Sequence, residues 1–360
     1  MKTTRIEKHK AFLLAVAIAA ISAVAGLINL WFDERNISNK EARLSNEPRL
    51  SPWLVDESWE EGVADLRKSA NLLSDLQLFA AYFDEYDQLM TAPKLNEALP
   101  IITNILWEYG NKKLFLTLVN DCYAEDGTVV QKDSELVSRL MASPATRGKH
   151  IDEIVNVALS SQFDGIEIHY EGVKQDDWPH MTAFISELNR RLQMIGKLLR
   201  VVLEPQLPVE RFTLPDGPSY VLVADDLQRE KTEPGPKADY AFIDQLIKRM
   251  DGVPGERIIA FSAGGFDWTE NGAITAVTEQ HAADLAKAMG ALPQRDDSSG
   301  SLYFTYRDSD GREHRVWYAD RETLNGWIDR AKRSGIARAA IWRLGGLSDE
   351  MLAGLGVATE

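Results

Sequence analysis

The segment Asp164-Gly-Ile-Glu-Ile-His-Tyr-Glu171 packs three carboxylates and an imidazole into one short stretch. In an extended strand alternate side chains share a face, so Glu167, His169 and Glu171 point the same way, about 6.6 Å apart. Ile166, Ile168 and Tyr170 supply a largely apolar opposite face. Ionisable groups directed into an interior are costly unless they interact with one another. An acid and a polar helper stacked beneath Glu171 would raise its pKa, which a proton donor to a leaving group requires.

Such a strand needs a scaffold that buries it and exposes its tip. Short apolar runs at Pro52–Val55, Leu76–Tyr82, Leu114–Asn120, Phe163–Tyr170, Leu199–Leu203, Tyr220–Ala224, Arg257–Ser262 and Ala339–Leu344 read as strands. Amphipathic stretches at Ser134–Met141, Ile151–Ser161, Met181–Met194, Ala241–Met250, Glu279–Met289 and Arg321–Arg333 read as helices between them. This alternation predicts an α/β fold, a closed (β/α)8 barrel spanning 51–360, with Glu171 at the C-terminal rim where barrel enzymes hold catalytic groups. A dinucleotide-binding sheet would fit the length, but no Gly-rich turn follows the first strand. Leu302–Tyr306 and His314–Tyr318 flank Asp308-Ser-Asp-Gly311, which predicts a β-hairpin insertion before the last helix.

The 360 residues carry a net charge of −15, with 40 basic against 55 acidic side chains, and no concentrated basic surface. Nucleic acid is therefore excluded as a partner. One cysteine, Cys122, rules out an intramolecular disulfide, and the six histidines show no paired metal-ligand spacing. Neither a metal nor a cofactor is expected; Gly264-Gly265 lacks the further glycine and helix start of a phosphate loop.

Residues 1–10 hold Lys2, Arg5, Lys8 and Lys10 against one acid, Glu7, and the run 11–32 is free of charge. A helix over that run would reach roughly 33 Å, enough to cross a hydrocarbon core of about 30 Å. The basic flank predicts a cytoplasmic tail over 1–10, a transmembrane signal anchor over 11–32, a polar tether over 33–50 and an extracytoplasmic barrel. A cleavable signal peptide is the alternative, since Ala23-Val-Ala25 resembles a cleavage site.

Asp164-Gly-x-Glu-x-His-x-Glu171 resembles the active strand of glycoside hydrolase family 18, the chitinase-like family, whose pattern is DGxDxDxE. Ala224-Asp-Asp226, followed by Pro234-Gly-Pro-Lys-Ala238, resembles the family's sixth-strand MxYD and the PGPxA beyond it. Ala263-Gly-Gly-Phe-Asp-Trp268 resembles a seventh-strand YGYDW, and Ala340-Ile-Trp-Arg-Leu-Gly345 resembles the last strand, ALWRLG. The branch most similar is the hydrolase-like domain found beside polysaccharide deacetylase and glycosyltransferase modules, which is also similar to spore-cortex hydrolases.

The resemblance implies that Glu171 is the general acid, with Asp164 its buried support and Glu167 and His169 completing the catalytic strand. It implies Trp342 as the floor beneath the reacting sugar, with Asp225, Asp226, Asp267 and Trp268 binding substrate. The expected partner is a polysaccharide or oligosaccharide containing N-acetylglucosamine or glucosamine. In such enzymes the substrate's own acetamide attacks the anomeric carbon, an exception to the two-carboxylate scheme.

Two positions depart from the pattern. His169 stands where the family has the Asp that accepts from the acetamide N–H, and an imidazolium has no acceptor to offer. Asp225 stands where the family has a Tyr. Three functions stay open: an active hydrolase of altered substrate, such as a deacetylated polymer, with Asp226 or Glu204 as nucleophile; a carbohydrate-binding module; and an envelope scaffold. A groove lined by Trp178, Trp268 and Trp342 would suit the first two, and a rim closed by the Leu302–Tyr318 hairpin the third.

Overall fold

The computed structural model describes residues 49–225 and 233–356. The tail, the anchor run, nearly all of the tether and Asp226 lie outside these residues. Among the described residues no helix is long and apolar enough to cross a membrane.

Eight parallel strands close into a barrel: β1 (Arg49–Val55), β2 (Asp75–Asp84), β4 (Lys113–Tyr123), β6 (Gly165–His169), β7 (Leu198–Leu203), β8 (Ser219–Ala224), β9 (Glu256–Ser262) and β15 (Arg338–Trp342). Each overlaps one of the apolar runs seen in the sequence. The short β3 (Leu89–Thr91) and β5 (Val129–Val130) extend β2 and β4 as antiparallel hairpins. The β2–β4 pairing completes the ring.

Helices pack outside because each parallel strand needs a crossover, and local chemistry sets their starts. Asp133 accepts from Glu135 N and Leu136 N to cap Ser134–Met141, and Ser143 with Thr146 forms a capping box ahead of Pro144–Ser160. Two further helices, Trp59–Ser69 and Leu95–Glu108, cover the β1 and β2 side.

The larger core lies between strands and helices, around Phe163, Ile168, Phe184 and Trp327. Inside the barrel a small apolar cluster around Trp53, Val221, Ile258 and Ala340 sits near an ionic network. Arg200, buried, places Nε 2.5 Å from Glu167 Oε2 and Nη1 3.4 Å from Asp75 Oδ1. Arg338 also pairs with Asp75. Burial pushes the Asp75 carboxyl up, but Arg338 and Arg200 outweigh it and hold it below its ordinary value.

The hairpin is present as β13 (Leu302–Arg307) and β14 (Glu313–Ala319) within a larger unit. It belongs to a five-stranded antiparallel sheet with β10 (Gly264–Thr269), β11 (Ile274–Val277) and β12 (Gln294–Arg295). Gly264, at φ +68°, turns the chain out of the barrel after β9. A Cβ on Gly265 would stand 1.7 Å from Trp317 O, so the Gly-Gly step is what lets β10 lie against β14.

Candidate active site

The strand tips surround a cavity of about 400 Å³ at the C-terminal rim, where Glu171 meets Trp342. Trp53, Phe79 and Trp342 form an aromatic floor: the Phe79 and Trp342 rings stand 5.2 Å apart and Trp53 and Trp342 5.8 Å. Trp342 is half-buried at the end of β15, its carbonyl accepting from Ala263 N at 2.8 Å. His169 joins the same cluster, 5.8 Å from Phe79 and 6.0 Å from Trp53.

Glu171 sits just beyond β6. Its backbone is held by Asn120 at the rim of β4: the amide Nδ2 donates to Glu171 O at 2.8 Å, and Oδ1 accepts from Glu171 N at 2.9 Å. Its carboxylate lies between two bases. Lys132 Nζ donates to Oε2 at 2.6 Å, and His169 Nε2 stands 3.4 Å from Oε1. Burial pushes this carboxyl up, but His169 and Lys132 together outweigh it and hold it well below the glutamate range. The sequence expectation was the reverse, a raised acid. It fails because the polar helper, His169, itself stabilises the ionised carboxylate, because the acid beneath it is engaged elsewhere, and because a cation arrives from a loop 39 residues earlier.

Glu167 is that acid. It is fully buried, accepts from Trp53 Nε1 at 2.6 Å and from Thr117 Oγ1 at 2.8 Å, and pairs with Arg200. It supports the floor through Trp53, and none of its hydrogen bonds or ion pairs is with Glu171. Asp164, expected as a buried support, is exposed at the opposite end of the strand. Its Oδ2 accepts from Leu114 N at 2.9 Å, fixing the starts of β4 and β6. Gly165 beside it is required, since a Cβ there would meet Leu198 O at 2.8 Å.

Asp225 lines the cavity and accepts from Ser262 Oγ at 2.9 Å. Asp226 falls outside the described residues. Asp267 and Trp268 do not line the cavity, because β10 leaves the barrel. Asp267 accepts from Tyr306 Oη at 2.8 Å and stands 3.0 Å from His314 Nδ1, and Trp268 is buried against Phe266. Trp178 is likewise buried, packed on Phe212. Of the three tryptophans expected along a groove, Trp342 alone lines the cavity, and no residue of the Leu302–Tyr318 hairpin does.

Sequence reasoning did not find Asn120, Lys132, Trp53 or Phe79. Asn120 had a signal, a polar residue ending an apolar strand at the rim. Lys132 had none. The lining is acidic: Asp56, Glu57, Asp121, Glu171, Glu204 and Asp225 face Lys132 and Arg343. Burial pushes the Asp121 carboxyl up, although it accepts from Lys132 N at 2.7 Å. Among the described residues no group of side chains is arranged to hold a metal ion.

The fold is that of a chitinase-like β/α barrel, and the resemblance to glycoside hydrolase family 18 and its spore-cortex hydrolases holds. The chain is 25% identical over 227 residues to the putative sporulation-specific glycosylase YdhD of Bacillus subtilis, covering 59% of this chain and 54% of that one. It is 28% identical over 270 residues to the cortical fragment-lytic enzyme of the same organism, covering 68% and 60%. The chain thus spans between half and two thirds of these relatives' length. Among solved structures it is similar to the Bacillus cereus spore cortex-lytic enzyme SleL, at TM-score 0.72 and 19% identity over 85% of this chain and 72% of that one. The Chromobacterium violaceum chitinase aligns at TM-score 0.73 and 17% identity, over 87% of this chain and 100% of that one. A Cycas revoluta family 18 chitinase in complex with (GlcNAc)3 aligns at TM-score 0.68 and 16% identity, over 86% and 98%. No protein-family model matches the chain.

Proposed function

We propose that the protein is a membrane-anchored, family 18-like glycosidase acting on a polysaccharide of N-acetylglucosamine and glucosamine, with Glu171 as general acid. The observation that carries this reading is the meeting of Glu171 and the Trp342 floor in one rim cavity. An indole face suits the C–H face of a pyranose. In the reaction Glu171, once protonated, gives its proton to the glycosidic oxygen as the bond from that oxygen to the anomeric carbon breaks. The cation at that carbon is met by the substrate's acetamide oxygen or, for a deacetylated unit, by a carboxylate such as Glu204. Water then completes hydrolysis.

The excess of carboxylates in the lining favours a substrate bearing ammonium groups, as partly deacetylated glucosamine polymer does. His169 offers no negative charge to an oxazolinium, which points the same way. The charge-free run 11–32 behind a basic flank supports anchoring, with the barrel outside the cytoplasmic membrane.

A second reading, a carbohydrate-binding module, is favoured by the Lys132–Glu171 ion pair, because an ionised carboxylate has no proton to donate. The test is incubation with chito-oligosaccharides and with deacetylated glucosamine polymer, wild type against Glu171→Gln. Loss of product release in the variant supports Glu171. Release that survives the substitution removes it and directs attention to Asp121. Binding without turnover in both proteins establishes the binding module.

A further inference from the structure

Lys132 follows the small β4–β5 hairpin and is held by its backbone. Its φ is +54°, and its N–H donates to Asp121 Oδ1 at 2.7 Å. The next residue, Asp133, donates its N–H to Asn120 O at 2.8 Å and accepts through its own carbonyl from Asn120 Nδ2 at 3.2 Å. Asn120 also grips the backbone of Glu171. One asparagine therefore sets both ends of the ion pair, and the lysine side chain, 43% exposed, is the part left to move.

We propose that Lys132 is a positioning residue: its ammonium clamps Glu171 as an ion, and its side chain must swing off before that carboxyl can hand a proton to a glycosidic oxygen. This deepens the assignment of Glu171 as general acid and rests on it.

The clamp is strong because the charges around it do not cancel it. On its own strand Glu171 faces His169. From β4 comes Asp121, from the end of β7 comes Glu204, and Asp225 follows β8. Asp56, Glu57 and Arg343 lie on the β1 and β15 side of the cavity. Glu204 Oε2 accepts from Gly172 N at 3.0 Å, next to Glu171 in the chain. Carboxylates thus surround a carboxylate, which alone would favour its protonation. His169 and Lys132 reverse that balance through direct contact. Swinging Lys132 off removes one of the two and leaves the surrounding carboxylates to favour the proton, so the movement of one side chain shifts Glu171 from ion toward acid.

The experiment is a carboxyl NMR titration of Glu171 in the full chain in detergent, with the signal assigned by Glu171→Gln. Wild type is compared with Lys132→Met and Lys132→Arg, and thermal melts verify that each variant is folded. Lys132→Met should move the Glu171 titration up by about one unit or more, a tenfold rise in the protonated fraction at a given pH above it. Lys132→Arg should keep it low. An unmoved titration in Lys132→Met, or an equal rise in Lys132→Arg, overturns the clamp. In whichever variants hydrolyse substrate, the alkaline limb of kcat/KM should shift with the titration. Absence of hydrolysis in every variant removes the general-acid assignment, while the titration still decides whether Lys132 holds the carboxyl.

Discussion

Asn120 and Glu171, 51 residues apart, are joined by two hydrogen bonds between one side-chain amide and the backbone N–H and C=O of one residue. The pair fixes where the carboxyl-bearing residue leaves β6, much as a ladder bond would, although the barrel register between β4 and β6 ends at Val119 and His169. Glu171 is therefore placed by a side chain of the neighbouring strand.

Replacing Asn120 with Ala should misplace Glu171 without touching its chemistry. Activity toward chito-oligosaccharides should fall by about 10²-fold, the scale expected when a reacting group shifts by an ångström. Initial-rate measurements on a variant shown to be folded check this. Unchanged rates would mean that β6 alone orients the acid.

Glu167→Ala should behave as a stability variant. It leaves the buried Arg200 guanidinium without its 2.5 Å partner, and breaking a buried pair from one side costs about 3–5 kcal/mol. Urea denaturation measures it. A loss under about 1 kcal/mol would show that Asp75 alone satisfies Arg200.

Glu171 also ties stability to pH. Its folded pKa lies below its unfolded value, near 4.3, so in the window between them the unfolded chain binds more protons. The stabilisation is complete above that unfolded value and is lost as pH falls through the folded one. Melting temperature should drop below about pH 4.3, and Glu171→Gln should flatten that drop. Asp75, held low by Arg338 and Arg200, acts in the same direction and keeps some slope in the variant.

Trp342→Ala should weaken oligosaccharide binding about tenfold, corresponding to roughly 1.4 kcal/mol, with Phe restoring part of it. Calorimetric titration reads this. The same titration on Trp268→Phe, whose indole is buried in the insertion sheet, should show little change.

The barrel is legible in the sequence, because a parallel strand buried on both faces leaves an apolar run that can be read directly, as Leu114–Asn120 and Tyr220–Ala224 do. It also brought out Glu171 and Trp342, which sit at strand ends where the fold's geometry leaves little choice. The helices Trp59–Ser69 and Leu95–Glu108 are not among the amphipathic stretches read from the sequence; the second carries Pro100 inside its first half. Which neighbours each charge meets follows from tertiary contacts instead. Period-two alternation placed Glu167, His169 and Glu171 on one face, but Arg200 from the next strand claimed Glu167 and Lys132 from a loop claimed Glu171. Likewise Asp267 and Trp268 left the cavity when β10 paired with β14 across a long gap in sequence. Periodicity is a local property of the backbone, whereas an ion pair depends on distances set by loops and sheet closure.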